Sequence, residues 1–307
     1  MNDNTPDTQL IKKPLLEGKH PAIQLLYMVL LIFGCGIVIS LFGLLLSYGI
    51  WGEDMDELTP GYYRFMQLFN AIGVFLVPAL LFSYLQRRRW FSYSQADCRP
   101  NNGMTLLYVA AASLCILPIA GMVVELGKLV PWPDFMAKWE KLMHEQQDSV
   151  DHVLEMMTAD THISTLILNL LVCALLPAVS EELFFRGSLQ QLLHHWFKNS
   201  HAAIWVTGFI FSAIHLQIDG FVARWLLGVY LGYLLVWSGS LWVPILAHFL
   251  HNALSIIIQH IVTVNGTITE ENFTFSSILS TIVSLLFLVF FIYLIYRSSH
   301  KNNVNQA

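Results

Sequence analysis

Long apolar runs decide what this chain can fold into. The first, over residues 23–50, contains no charged residue. A bilayer's hydrocarbon core, about 30 Å thick, is crossed by about 20 helical residues. Inside it, each backbone N–H and C=O must be satisfied by the segment itself or by a closed barrel. Unbroken apolar runs of this length therefore become transmembrane helices. Seven more follow near 62–85, 104–130, 163–193, 202–216, 221–237, 241–262 and 275–296. The fifth and sixth are short and joined by "QIDG", which predicts a tight helical hairpin. Charged residues make up 12% of the chain, about half the roughly 25% of a soluble protein. The predicted fold is all-α: a polytopic transmembrane bundle of about eight spans.

Four regions are expected. Residues 1–20 form a polar tail, disordered and cytoplasmic. Residues 21–162 hold the N-terminal spans and, within "FMAKWEKLMHEQQDSVDHVLEMMT", an amphipathic helix. Its Phe135, Trp139, Leu142 and Met143 recur at helical spacing, which suits a helix lying on the membrane surface; a solvated connector is the plainer reading. Residues 163–262 form a membrane core rich in buried polar groups. Residues 263–307 hold the last span and a polar end. With eight spans and the N-terminus inside, ten Lys and Arg fall on the inner side and five on the outer, with the acidic "EDMDE" loop outside. Positive residues collect on the cytoplasmic side, so both termini are expected there, in what is expected to be a bacterial inner membrane. Trp51, Trp132, Trp237 and Trp242 lie near span ends and read as interface anchors. The cysteines Cys35, Cys98, Cys115 and Cys173 form no CxxC pair, so neither a disulfide framework nor a thiolate metal site is indicated. No basic stripe with aromatic interleaving points to nucleic acid.

The fourth span breaks its own apolar character. In "PAVSEELFFRGSLQQLL" it keeps Glu181, Glu182 and Arg186. One ionised residue at a helix centre costs roughly 2.5–3.5 kcal/mol on insertion scales. A bracing ion pair explains part of this, since Glu182 and Arg186 are four apart and share a face. Glu181 is turned about 100° from Glu182 and is free to point elsewhere.

Other spans add polar groups. The fifth carries His215 in "FSAIH", with Phe211 one turn earlier; the seventh carries His248, His251 and Asn252 in "AHFLHN". A lone histidine in an apolar helix is usually a packing residue. Polar groups on three spans, however, avoid lipid by facing the bundle interior, where they can meet. His248 and Asn252 share a face. His251, three residues from His248, could face the same site, and spacing does not choose between them. A carboxylate, imidazoles and a carboxamide suggest hydrolysis. A desolvated glutamate suits a general base, histidines can bind metal or water or steady an oxyanion, and Asn is an apt donor. Neither HExxH nor a GxSxG elbow occurs.

These residues resemble a family. "EELFFR" is similar to the EExxxR motif of the CPBP intramembrane proteases, the CAAX-processing and bacteriocin-processing (ABI) group; "FSAIH" is similar to its FxxxH motif and "HFLHN" to its HxxxN motif. The order and the placement on separate spans agree, over about residues 163–258. The resemblance implies a membrane peptidase acting on a membrane-embedded or lipidated protein or peptide, its site open to the cytoplasm. It implies Glu181 as activator of water and Glu182 with Arg186 as the rest of the first motif. His215, His248 and Asn252 would bind water, metal or oxyanion, and Phe211 would pack the second motif. Zinc on His215 and His248 is a possible cofactor. Two other classes remain. A non-catalytic scaffold or bacteriocin self-immunity protein would keep the motifs as bracing. A proton-coupled transporter would use Glu, Arg and His as a relay, but the paired broken helices of such proteins are not evident.

Overall fold

The structure, a computed structural model, describes residues 13–52, 59–87, 93–96, 103–129, 133–265 and 275–304. Lys12, Arg88, Arg89, Arg99, Cys98, Trp132 and the "EDMDE" loop lie outside the described residues. The described chain is helical: α1 (Pro21–Trp51), α2 (Pro60–Arg87), α3 (Gly103–Lys128), α4 (Ala137–Thr158), α5 (Ile163–Phe197), α6 (Ser200–Ala213), α7 (Phe221–Ser238), α8 (Trp242–Asn265) and α9 (Phe275–Val304). Seven of these are long and apolar enough to cross a membrane, α4 and α6 being the exceptions. The chain is an integral membrane bundle. The fifth expected span is realised as α6, apolar but only 14 residues long.

Local signals fix the helix ends. Thr59 Oγ1 accepts from the amide of Tyr62, and Pro60 opens α2, where a missing N–H does no harm. Gly52, at φ +73°, closes α1 by donating its N–H to the Tyr48 carbonyl. Within α2 and α5 the helix widens to i→i−5 hydrogen bonding. Val77 donates to the Ile72 carbonyl and Leu176 to the Leu171 carbonyl. Each widening precedes a proline, Pro78 or Pro177. Proline has no N–H and crowds the carbonyl four residues back, and a wider turn relieves that clash. A third wide turn, over Phe185–Leu189, has no proline. There the turn at 93–96 presses on the helix: a Cβ on Gly187 would lie 2.7 Å from Ser94 Cβ.

α5 is wrapped by its neighbours. Phe184, Phe185 and Leu192 pack with Phe82 from α2, Phe211 from α6, Leu235 from α7 and Leu241 before α8. Leu16 joins the same core, fully buried, and donates its amide to the Leu85 carbonyl. Leu16 thus has an apolar slot beside α2, although it falls within the stretch expected to be a disordered tail. The hairpin α6–α7 closes on glycine: a Cβ on Gly228 would lie 2.9 Å from Gly208 Cα. Phe135, just before α4, is exposed, as are Trp139 and Leu142 on it. α4 takes in most of the stretch read as amphipathic. Its C-terminal end is pinned, since Arg64 Nη2 and Asn169 Nδ2 both donate to the Met157 carbonyl, and Arg64 Nε donates to Asn169 Oδ1.

Candidate active site

α5, α8 and the end of α6 bring Glu182, Arg186, His248 and His215 together around Phe211. On α5, Glu182 and Arg186 are fully buried and Glu181 is 9% exposed. Arg186 Nη1 donates to Glu182 Oε1 at 2.7 Å. The same oxygen takes a hydrogen bond of 2.8 Å from His248 Nδ1 on α8. A carboxylate only accepts, so Nδ1 carries the proton, and in the neutral ring the lone pair is then on Nε2. Glu182 thus neutralises the arginine and orients one imidazole. Glu181 is left out of that pairing, while lying near enough to His248, Glu182 and Arg186 for their charges to interact.

His215 follows the end of α6. Its Nδ1 lies 2.8 Å from the Phe211 carbonyl, which again only accepts, so this histidine also presents Nε2 outward. Phe211 is the hinge of the cluster. The Arg186 guanidinium lies 4.7 Å from its ring centre, a cation–π contact. Its edge meets His215 at 5.2 Å and His248 at 5.7 Å. The phenylalanine of the second motif therefore holds arginine and both histidines in one frame.

Asn252 lies one turn beyond His248 on α8 and is half-buried; so is His251. His251 makes no such contact with Glu182, and its Nδ1 is buried with no partner among the described residues. The tertiary placement of α8 thus separates two histidines that spacing leaves equivalent: His248 enters the Glu182–Arg186 pair and His251 stands beside it.

One set of contacts was missed in the sequence. Arg186 Nη2 donates to the Gly228 carbonyl at 3.0 Å, and Gln190 Nε2 to the Gly232 carbonyl at 3.2 Å. Arg186 and Gln190 are one turn apart, and so are Gly228 and Gly232. Bare glycines let α7 come close enough to offer mid-helix carbonyls as second acceptors. Two glycines four apart also serve close helix packing. The signal available in the sequence was the matched spacing on the two spans.

A zinc ion would need a donor set. His215 and His248 keep free Nε2 atoms, but among the described residues no three His, Cys, Asp or Glu side chains are placed to hold a metal ion. Glu181, by contrast, is a carboxylate outside the Glu182–Arg186–His248 pairing.

Comparison with known proteins points to one family. A family model described as type II CAAX prenyl endopeptidase Rce1-like matches residues 163–254, a range that includes all six site residues. The chain is also similar to the uncharacterized protein YpbD of Bacillus subtilis (strain 168), 33% identical over 92 residues, 28% of this chain and 42% of that protein. The match thus spans under half of that relative's length. No solved structure matches.

Proposed function

We propose, from the match of residues 163–254 to the type II CAAX prenyl endopeptidase Rce1-like model, that the chain is an intramembrane endopeptidase. It hydrolyses a peptide bond of a membrane-associated or lipidated protein or peptide, and Glu181 activates the water. The observation that carries this reading is the division of labour between adjacent glutamates. Glu182 is consumed by Arg186 and His248; Glu181 is not.

The chemistry follows from the lone pairs. The Nε2 atom of His215 accepts one hydrogen of a water and leaves its other hydrogen for Glu181, while His248 Nε2 borders the same place. Glu181 takes a proton as the water oxygen attacks the scissile carbonyl carbon. The Asn252 carboxamide, a neutral N–H donor, meets the oxygen that becomes negative. When the tetrahedral intermediate collapses, the C–N bond breaks and Glu181 returns its proton to the leaving nitrogen. Zinc on His215 and His248 would supply Lewis-acid chemistry, but these two lack a third protein ligand among the described residues, so no step is routed through it. We place the enzyme in a bacterial inner membrane, with the bilayer as the medium that delivers its substrate.

The test is cleavage of a quenched fluorogenic peptide ending in a prenylated CAAX sequence by the pure protein in detergent. Wild type should cleave, and Glu181→Gln should be folded and inactive, because the amide keeps the size and loses the base. Metal analysis of the same active sample completes the test. Stoichiometric zinc with chelator-sensitive cleavage overturns the metal-free route. Cleavage by Glu181→Gln at the wild-type rate overturns the role of Glu181. A scaffold or a transporter would leave the peptide intact with every variant.

A further inference from the structure

The loop that carries His215 is held by a cation that the proposed chemistry leaves unused. Residues 214–220 join α6 to α7. Directly after His215, Leu216 sits at φ +53°, a left-handed conformation that costs a non-glycine residue roughly 1–2 kcal/mol. Something beyond the local chain has to hold it there. Arg224, in the first turn of α7, reaches back under the loop and its Nη2 donates to the Gln217 carbonyl at 2.5 Å. A Cβ on Gly220 would lie 2.5 Å from Arg224 Nη1, so any other residue there would make the guanidinium shift from its present place. The other end of the loop is closed by Ser212 Oγ, which donates to the Phe221 carbonyl at 2.6 Å.

Two carboxylates lie close enough to interact with the Arg224 charge: Asp219 on the loop and Asp151 on α4. Asp219 in turn faces His144 of α4 at 4.0 Å. Yet Arg224 Nε is buried with no partner among the described residues. A buried donor left unmet costs roughly 1–3 kcal/mol, so this placement does little for stability by itself. What it does do is fix one carbonyl, two residues beyond His215.

We propose that Arg224 is a positioning residue for His215: by holding the Gln217 carbonyl it maintains the left-handed turn at Leu216, and that turn sets the direction in which His215 presents Nε2. The inference rests on the proposed role of His215 in holding the attacking water. It predicts that the geometry of this loop, and not its net charge, matters to hydrolysis.

The experiment uses the full chain in detergent as wild type, Arg224→Lys and Arg224→Gln. Each is treated with diethyl pyrocarbonate, and carbethoxylation is mapped at each histidine by mass spectrometry. In Arg224→Gln, labelling of His215 should rise severalfold while His248 and His251 keep their wild-type rates and the melting temperature is unchanged. Arg224→Lys, which keeps the charge but loses the planar fork, should resemble Arg224→Gln. Cleavage of the prenylated CAAX peptide supplies the second readout. There kcat should fall about 10–100-fold at an unchanged KM, the size expected when a reacting group is displaced by about 1 Å. Wild-type labelling of His215 in Arg224→Gln overturns the proposal. So does a rise at all three histidines together, which would mean general loosening, and so does full activity in Arg224→Gln. If wild type cleaves no peptide, the functional reading fails on that result, and the labelling pattern alone decides whether Arg224 holds His215.

Discussion

Glu182 Oε1 receives two donors at once, Arg186 Nη1 and His248 Nδ1, and the consequences of substitution follow from that sharing. Arg186→Ala leaves the carboxylate buried without its cation, a loss of roughly 3–5 kcal/mol in buried pairs generally. Its melting temperature in detergent should fall clearly below that of Glu181→Gln, which removes no ion pair. Glu182→Gln should lower both stability and cleavage, because it strands Arg186 and weakens the tether on His248. Among the histidines, His248→Ala should abolish cleavage of the prenylated peptide, whereas His251→Ala should retain most of it. An inactive His251→Ala beside an active His248→Ala would reverse the assignment. Part of this was legible in sequence. Four-residue spacing gives the pairs 182/186, 211/215 and 248/252 by helix geometry alone. Spacing alone left His248 and His251 equivalent and only the HxxxN resemblance favoured His248, because the contact with Glu182 depends on how α8 is rotated against α5, a long-range contact that no local spacing records.

Elements were readable in extent and less so in detail. The spans drawn from hydropathy match the observed helices to within a few residues, except that α9 continues through a polar end to Val304, because apolar runs and the prolines and glycines at their edges mark the ends. The wide turns in α2 and α5 were not seen: apolar residues on every face leave no 3.6-residue pattern to be interrupted. Nor did the Arg186–Gln190 ladder onto α7 emerge, since a backbone carbonyl leaves no trace in the residue alphabet. The glycines of the α6–α7 hairpin give a direct test of this packing. Gly228→Ala would place a methyl 2.9 Å from Gly208 Cα, where only backbone movement can make room, and it would push away the carbonyl that holds Arg186. It should lower the melting temperature and the cleavage rate together. Gly34→Ala meets nothing within 4 Å and should be neutral or stabilising by at most about 1 kcal/mol. Equal melting temperatures for the two variants would show that α6 and α7 are not in close contact.

At the scale of the whole molecule, the distribution of Lys and Arg predicts eight crossings with both ends cytoplasmic. Reporter fusions check this: a C-terminal fusion active only on the outer side would mean an odd number of crossings. The count turns on α6. Its 14 residues rise about 21 Å, short of the roughly 30 Å of hydrocarbon to be crossed. The loop after it carries His215, Gln217 and Asp219, polar groups that lipid tails do not solvate. A bilayer meets such a shortfall by thinning around the protein, at a fraction of a kcal/mol per ångström of mismatch. The acyl chains around α6 then become part of the setting of the proposed hydrolysis. In reconstituted vesicles, cleavage should be faster with short-chain phosphatidylcholine than with long-chain lipid at equal fluidity, because the thicker membrane presses hydrocarbon against the loop that presents His215.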